Sequence, residues 1–263
     1  MRALFITALY LLVAPASATT LTVALEYANN SPYEYLDTDA RLTGFHVEVI
    51  RAVGQRLGWN IEFKRLPWKR AVQALYKGEV QAISYIAPSP DRENFALFLP
   101  GNLLHVSRTA MFIKRTRAEE IRYAPPFETM AKRWRVAVPD GYLMSNELMD
   151  LAAKGIPIEK PSVNQLHLFM MLSIDRFDIV CGASDALNIL DAEAPALAEH
   201  IQLLEGSIRP GTPMYLAFSR KAPAHLAMQF ETSYRQFRQG PDYLVLAERF
   251  KVREQLPEPH DFE

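Results

Sequence analysis

The sequence is short of cysteine, of surplus positive charge and of long apolar runs. Cys181 is its one cysteine among 263 residues, so no internal disulfide can form and a small disulfide-stapled domain is excluded. The formal net charge is −1 and the pI is about 6.6, which leaves no excess of Lys and Arg to displace counterions from a polyanion. We therefore expect no nucleic-acid partner. Cys181 lies in an apolar run, which is typical of a buried core residue rather than a reactive thiol.

The local motifs of metal sites and of common enzymes are also missing. The six histidines show no close metal-ligand spacing, and we expect His46 to lie on the surface. The chain has no Gly-x-Ser-x-Gly elbow and no phosphate-cradling loop. We expect no metal, no cofactor and no catalytic residue.

Residues 1–18 have the pattern of a secretory signal peptide. Arg2 supplies a positive start, residues 3–13 form an apolar run too short to span a bilayer, and Ala16-Ser17-Ala18 is a small-residue cleavage site. No cysteine follows where a lipid anchor would need one. The sequence therefore predicts an exported protein that lies free in the periplasm.

After this segment, strand and helix patterns alternate. Residues 21–25, 61–66 and 80–86 are short apolar runs typical of buried strands. Between them, every fourth residue from Phe45 to Leu57 lies on one helical face, and Pro67 begins a second helix. This order predicts right-handed crossovers and a parallel sheet. In such sheets, ligands bind beyond the carboxyl ends of the strands.

The rest of the chain follows a similar pattern. Further strands are predicted at residues 106–114, 135–138, 178–181 and 214–219, and further helices at 143–154, 163–174, 223–239 and 241–250. A second α/β unit is the simplest account of the central part.

Three segments, in this order, carry a resemblance to a known family. Gly44-Phe45-His46-Val47-Glu48-Val49 resembles a signature of glycine, aromatic, acid, aliphatic, acid and aliphatic, although His46 replaces the first acid. Lys77 to Ile83 is similar to a lysine-glycine-x-valine-aspartate-alanine strand entry, with Gln81 replacing the acid. Ser84 to Arg92 resembles a loop whose arginine holds a ligand carboxylate. From Thr19 to Phe250 the chain thus resembles the bacterial solute-binding proteins of family 3, which serve ABC-type uptake systems and are best known as polar amino-acid binders.

The resemblance implies an α/β fold of two lobes, like that of the type II periplasmic binding proteins, with a central ligand cleft and two hinge strands. Lobe 1 would comprise residues 19–112 and 213–263, and lobe 2 residues 113–212. Closure of the hinge would bury the ligand.

Arg92 is the first candidate for ligand binding. Its guanidinium offers a planar fork of donors that matches a carboxylate; the alternative is a solvated loop arginine. Trp68 and Arg70 follow, as a flat apolar wall and a nearby cation, or else as a core residue and a solvated one. The remaining first-lobe candidates are polar or aromatic residues that either contact the ligand or simply pack: Tyr27, Tyr33, Ser84 and Tyr85.

The second lobe departs from the family pattern. Where amino-acid binders have hydroxyl residues after a glycine, this chain has Tyr142 and Leu143 after Gly141, and Ala183 occupies the place of an aspartate that pairs with the ligand ammonium. Asp185 either substitutes for that aspartate or caps a helix from Ala186 to Leu190. Without the acid, a buried ammonium would be unpaired, which favours another small carboxylate or polar solute over a standard α-amino acid.

The first functional hypothesis is a monomeric periplasmic binding protein that captures a small polar solute for an ABC permease in the inner membrane. The second is an enzyme resembling the cyclohexadienyl or arogenate dehydratases, in which Glu26 assists catalysis; the alternative for Glu26 is a hydrogen-bonded structural acid. The third is a sensor that presents its ligand-loaded form to a membrane receptor.

Overall fold

The computed structural model describes residues 19–142, 146–209 and 211–262. The predicted signal peptide and Leu143 lie outside these residues. The strands are β1 (Thr20–Glu26), β2 (Tyr35–Leu36), β3 (Leu42–Thr43), β4 (Asn60–Leu66), β5 (Ala82–Ile86), β6 (Ala96–Leu97), β7 (Leu103–Lys114), β8 (Val136–Ala137), β9 (Ile158–Glu159), β10 (Ile179–Ala183), β11 (Ile201–Leu203) and β12 (Gly211–Ser219). The helices are α1 (Phe45–Arg56), α2 (Trp68–Lys77), α3 (Pro90–Glu93), α4 (Phe127–Arg133), α5 (Asn146–Ala153), α6 (Gln165–Ser173), α7 (Leu187–Glu193), α8 (Pro195–Ala198), α9 (Ala224–Arg238) and α10 (Pro241–Arg249). In the part of the chain that is described, no helix is both long and apolar enough to cross a membrane.

The first strands and helices form the parallel sheet that the sequence predicts. β1 pairs in parallel with β4 on one side and with β5 on the other. Leu21, Val23, Ala24 and Leu25 of β1 are fully buried, because α1, α9 and α10 cover one face of the sheet and α2 covers the other. The continuous apolar run of β1 is therefore that of a strand covered on both faces.

Two long antiparallel strands, β7 and β12, connect this sheet to a second core. β12 pairs with β5 and with the first half of β7, while the second half of β7 pairs with β10 and β11. Leu104 packs in the core around β1, whereas Ala110 and Met111 pack in cores built from residues 110–204. β7 therefore passes from one core to the other, as a hinge strand does.

The second core is held together in part by a buried acid just before β10. Asp178 accepts hydrogen bonds from the backbone nitrogen and the guanidinium of Arg135 and forms an ion pair with Arg117. Although its burial opposes ionisation, these bonds and charges lower the pKa of Asp178. The predicted strand at residues 178–181 is observed one residue later, as β10.

Gly44 lets the N-terminus of α1 approach the backbone of a preceding loop. It has φ +122°, and a Cβ placed on it would lie 2.1 Å from the carbonyl oxygen of Tyr33. In this close approach, Phe45 N–H donates to Pro32 O and His46 N–H donates to Tyr33 O, at 3.0 and 3.1 Å. The first turn of α1 thereby fixes the position of Tyr33.

Candidate functional site

A cavity of about 800 Å³, its open mouth included, lies between the two cores. It is located at the carboxyl ends of strands, because Glu26 ends β1, Ala183 ends β10 and Trp68 follows β4. Its wall is formed by Glu26, Asn30, Ser31, Trp68, Tyr85, Ala87, Arg92, Ser107, Thr109, Tyr142, Gln165, Ala183, Asp185, Ala186, Ile189 and Met214. Apolar and aromatic side chains with a few polar and charged groups among them are typical of the wall of a small-molecule site.

Arg92 contributes a buried cation to the wall. Ser89 caps α3 by accepting a hydrogen bond from Arg92 N–H, with Pro90 in the first turn. The side chain is 9% exposed, and its Nη1 donates to Ala87 O at 2.8 Å. Burial lowers the pKa of Arg92 to about 10, so it stays charged at neutral pH. Within the described ranges, no carboxylate forms an ion pair with it.

The backbone carbonyl of Gly141 reaches across the cavity and contacts Arg92. The Gly141 carbonyl accepts from Arg92 Nη2 at 2.7 Å and from Trp68 Nε1 at 3.0 Å. Lys69 forms an ion pair with Asp140 at 2.5 Å beside it. A Cβ on Gly141 would lie 3.2 Å from the Trp68 ring, so glycine permits this approach. A backbone carbonyl thus contacts the guanidinium in the region where the sequence lacks the expected hydroxyls.

Glu26 and Tyr142 form a second bridge across the cavity. The Tyr142 hydroxyl donates to Glu26 Oε2 at 2.5 Å, and Asn30 donates to the same oxygen at 3.1 Å. Burial is the main cause of the raised pKa of Glu26. The Tyr142 ring meets the Trp68 ring edge to face, with centroids 6.0 Å apart. Together these rings form an aromatic wall.

Tyr33 and Asp185 form a third bridge, and the helix-cap interpretation of Asp185 is wrong. α7 begins at Leu187 with Ala186 as its N-cap and has no side-chain capping bond. Instead, the Asp185 carboxylate accepts from the Tyr33 hydroxyl at 2.7 Å, and burial raises the pKa of Asp185. The chain therefore does place an acid at the cavity, two residues after Ala183.

Tyr85 reaches the cavity through an irregularity in β5. Its φ is +58°, and the pairing of β5 with β12 shifts register between Tyr215 and Ala217. Such irregularities redirect side chains at functional sites. Ser84, the preceding residue, is fully buried and does not line the cavity.

Tyr27 and Arg70 lie outside the cavity wall. Tyr27 is 66% exposed, with the Arg65 guanidinium 5.3 Å from its ring centroid; side chains alternate along an extended chain, so Tyr27 points away from the side that Glu26 faces. Trp68 lies on the side of α2 that faces the cavity. Residues two apart on a helix lie on different faces, so Arg70 points away from the cavity and is exposed.

Several wall residues were not predicted from the sequence. They come from β7, β12, α6 and α7: Ser107, Thr109, Gln165, Ile189 and Met214. The helix that begins near Gln165 was predicted, but no local pattern indicated that its first residue faces a cavity.

A fully buried chain of polar residues lies behind Tyr33 and Tyr85, so the expectation that His46 is a surface residue is wrong. His46 is 0% exposed; its Nδ1 lies 3.1 Å from Glu34 Oε1 and its Nε2 lies 2.9 Å from His105 Nδ1. Burial raises the pKa of Glu34 to about 7 and lowers the pKa of His46 to about 3. A protonated Glu34 can donate to a neutral His46, which in turn donates to His105.

The replacement Glu34→Gln is expected to change how stability depends on pH. Between pH 4.5 and about 7, the folded protein holds the Glu34 proton that the unfolded chain has released, so the contribution of Glu34 to stability falls as pH rises. The variant lacks this pH-dependent contribution. The difference between its free energy of unfolding and that of the parent protein should therefore rise by about 3 kcal/mol from pH 4.5 to about pH 7, as measured by denaturant unfolding.

Glu254→Gln, which changes an exposed glutamate, is the control and should leave the pH profile unchanged. A stability difference between Glu34→Gln and the parent that stays constant with pH would show that Glu34 carries no such proton.

Among the described residues, no group of three or more His, Cys, Asp or Glu side chains is arranged to hold a metal ion. Glu34, His46 and His105 lie within hydrogen-bond distance of one another in sequence, as a short polar chain.

Comparisons with known proteins agree on one family. The profile of the bacterial extracellular solute-binding proteins, family 3, matches residues 21–250. A probable amino-acid ABC transporter-binding protein of Haemophilus influenzae is 40% identical over 78 residues, and this match spans 28% of each chain. The match thus covers less than a third of that relative.

Solved structures share the fold. A histidine kinase sensor domain with similarity to periplasmic binding proteins superposes with a TM-score of 0.76 at 19% identity, covering 92% of this chain and 99% of that domain. An ancestral arginine-binding protein bound to arginine gives 0.73 at 19% identity, covering 88% and 97%. These structures confirm the predicted fold, like that of the periplasmic binding proteins.

Proposed function

The chain belongs to the bacterial extracellular solute-binding proteins of family 3, and from this membership we propose that it captures a small polar solute bearing a carboxylate, an amino acid or a related compound, in the periplasm. It delivers this solute to an ABC permease of the inner membrane. One observation carries the proposal: Arg92 is a buried cation in the cavity wall with no carboxylate partner among the described residues.

The chemistry of Arg92 supports a carboxylate in particular. A buried charge is costly unless an opposite charge and hydrogen bonds compensate it. The Ala87 and Gly141 carbonyls accept from Nη1 and Nη2, but they are neutral. A ligand carboxylate supplies the missing negative charge and matches the planar donor fork.

The position of Asp185 supports an amino acid as one such ligand. The sequence disfavours an α-amino acid because Ala183 leaves the ammonium of such a ligand without an acid. Asp185 lines the cavity, and so does Glu26. Each carboxyl already accepts from one tyrosine and has lone pairs for a further donor.

Three bridges between the cores support a clamshell mechanism, in which the lobes are residues 19–112 with 213–263 and residues 113–212. Each of the pairs Arg92–Gly141, Tyr142–Glu26 and Tyr33–Asp185 joins residues on opposite sides of the proposed hinge. A ligand that contacts both lobes favours the closed form by the difference between its affinities for the closed and open forms. The permease then receives the closed, loaded protein.

A thermal-shift screen tests the proposal. Small carboxylates, including polar amino acids, should raise the unfolding temperature, whereas their uncharged amide or alcohol counterparts should not, because only a carboxylate pairs with Arg92. Calorimetry should then give one site per chain, and mass spectrometry of the released compound should show it unchanged.

Two results would contradict the proposal. If no carboxylate binds while neutral solutes do, Arg92 does not select the ligand. If the bound compound is converted, acid catalysis becomes the better account, with Glu26 as the acid because it is buried in the wall and burial raises its pKa. Prephenate is the substrate to test in that case.

A further inference from the structure

Gln165 contributes an uncharged polar side chain to the cavity that the mechanism above does not use. It is the first residue of α6, follows the N-cap Asn164 and is 4% exposed. Its Nε2 is buried without a hydrogen-bond partner, although the residue lines the cavity. A buried donor that lacks an acceptor is destabilising, so turning the end of the side chain toward the cavity would let Nε2 donate to a ligand.

Gly182 provides the space in which this amide lies. A Cβ on Gly182 would lie 2.6 to 2.8 Å from the Oε1, Cδ and Nε2 atoms of Gln165. Glycine inside a strand commonly marks such a close approach. The first residue of α6 and the end of β10 therefore fix the Gln165 amide together at the cavity wall.

The charges of the wall limit what can accept this hydrogen bond. Among the described residues of the wall, Arg92 is the one arginine or lysine, and the same wall contains two carboxyls, Glu26 and Asp185. Arg92 neutralises the negative charge of a ligand that has one carboxylate. A second carboxylate on the same ligand would meet the two acids without a second cation, which is unfavourable.

We propose that Gln165 is a specificity-determining residue that donates a hydrogen bond to an uncharged carbonyl oxygen of the ligand. The ligand class is then a small monocarboxylate that carries a carboxamide, with the carboxylate on Arg92 and the carboxamide oxygen on Gln165 Nε2. This inference rests on the proposed function and names the substrate class of the same site.

Calorimetry with six amino-acid probes of matched shape tests this assignment in the mature protein. L-Asparagine, L-aspartate and L-leucine form one isosteric set, and L-glutamine, L-glutamate and L-methionine form the other. In at least one set, the carboxamide should bind about tenfold or more tightly than both the anionic and the hydrocarbon member.

Two variants remove the amide contact by different routes. Gln165→Met keeps the length of the side chain and removes its donor, while Gly182→Ala displaces the flexible end of Gln165 with a small Cβ. Both should reduce the preference for the carboxamide over the hydrocarbon to nearly onefold, with the affinity for the hydrocarbon changing less than threefold. Gln236→Met, on an exposed residue of α9, should keep the preference of the parent protein.

The outcomes separate this assignment from the proposed function. A parent protein without a carboxamide preference, or a preference that persists in Gln165→Met, overturns the role of Gln165. Failure of all six probes while another carboxylate binds also overturns it and leaves the proposed function intact. Failure of every carboxylate tested overturns both.

Discussion

Replacing Arg92 by alanine is expected to abolish the thermal shift and to weaken carboxylate binding at least about 100-fold. Truncating one partner of a buried, hydrogen-bonded charge pair costs roughly 2–5 kcal/mol, and each 1.4 kcal/mol is a factor of ten in affinity. Arg92 is 9% exposed, so water cannot replace its guanidinium well as a partner for the ligand. The affinity is measured by calorimetry with the best carboxylate from the screen.

Two further variants make this result specific. Arg92→Lys keeps the positive charge and loses the planar fork, so it should recover only part of the affinity. Arg70→Ala removes an arginine that is exposed and absent from the cavity wall, and it should bind like the parent protein. Unchanged affinity in Arg92→Ala would remove Arg92 from the site, provided that the variant unfolds cooperatively without ligand.

Replacing Gly44 by alanine is expected to cost at least about 4 kcal/mol of folding stability. A φ of +122° is a conformation that essentially only glycine adopts, and forcing another residue into it costs on the order of 1–3 kcal/mol. The new Cβ would also lie 2.1 Å from the Tyr33 carbonyl oxygen, so the loop must move away and lose its hydrogen bonds to Phe45 and His46. Denaturant unfolding measures the loss.

Gly58→Ala is the matched control for Gly44→Ala. Gly58 also has a positive φ, +68°, but no atom lies within 4 Å of the position of its Cβ. Strain without a clash should cost about 1 kcal/mol. Equal costs at the two positions would show that the contact with Tyr33 does not matter.

Since Gly44 positions Tyr33, a Gly44→Ala protein that still folds should also bind its ligand more weakly.

The elements around β1 could be predicted because their signals are local. Apolar residues spaced four apart define α1, and Pro67 and Gly78 mark the ends of α2. Short elements such as α3 and β11 have too few residues for a periodic pattern to repeat, so periodicity does not indicate them.

His46 illustrates why the burial of a polar residue does not follow from its local sequence. The sequence places it on a helix face beside Val47 and Glu48, where a histidine is commonly exposed. In the fold, Glu34 and His105 approach from outside α1 and bond both ring nitrogens. The partners are 12 and 59 residues away along the chain, so no window of sequence around His46 contains both.

The sequence by itself determined the α/β class, the order of the first strands and helices, the family and the choice of Arg92 as the leading candidate. These depend on periodicity and on motifs a few residues long. The tertiary structure alone decided that Tyr33 meets Asp185 and that Tyr142 meets Glu26, pairs that are 152 and 116 residues apart. It also decided that Gln165 faces the cavity while Tyr27 and Arg70 do not. The physical reason is that a side chain's local pattern sets its face on a helix or strand, whereas its partner is set by how distant elements pack.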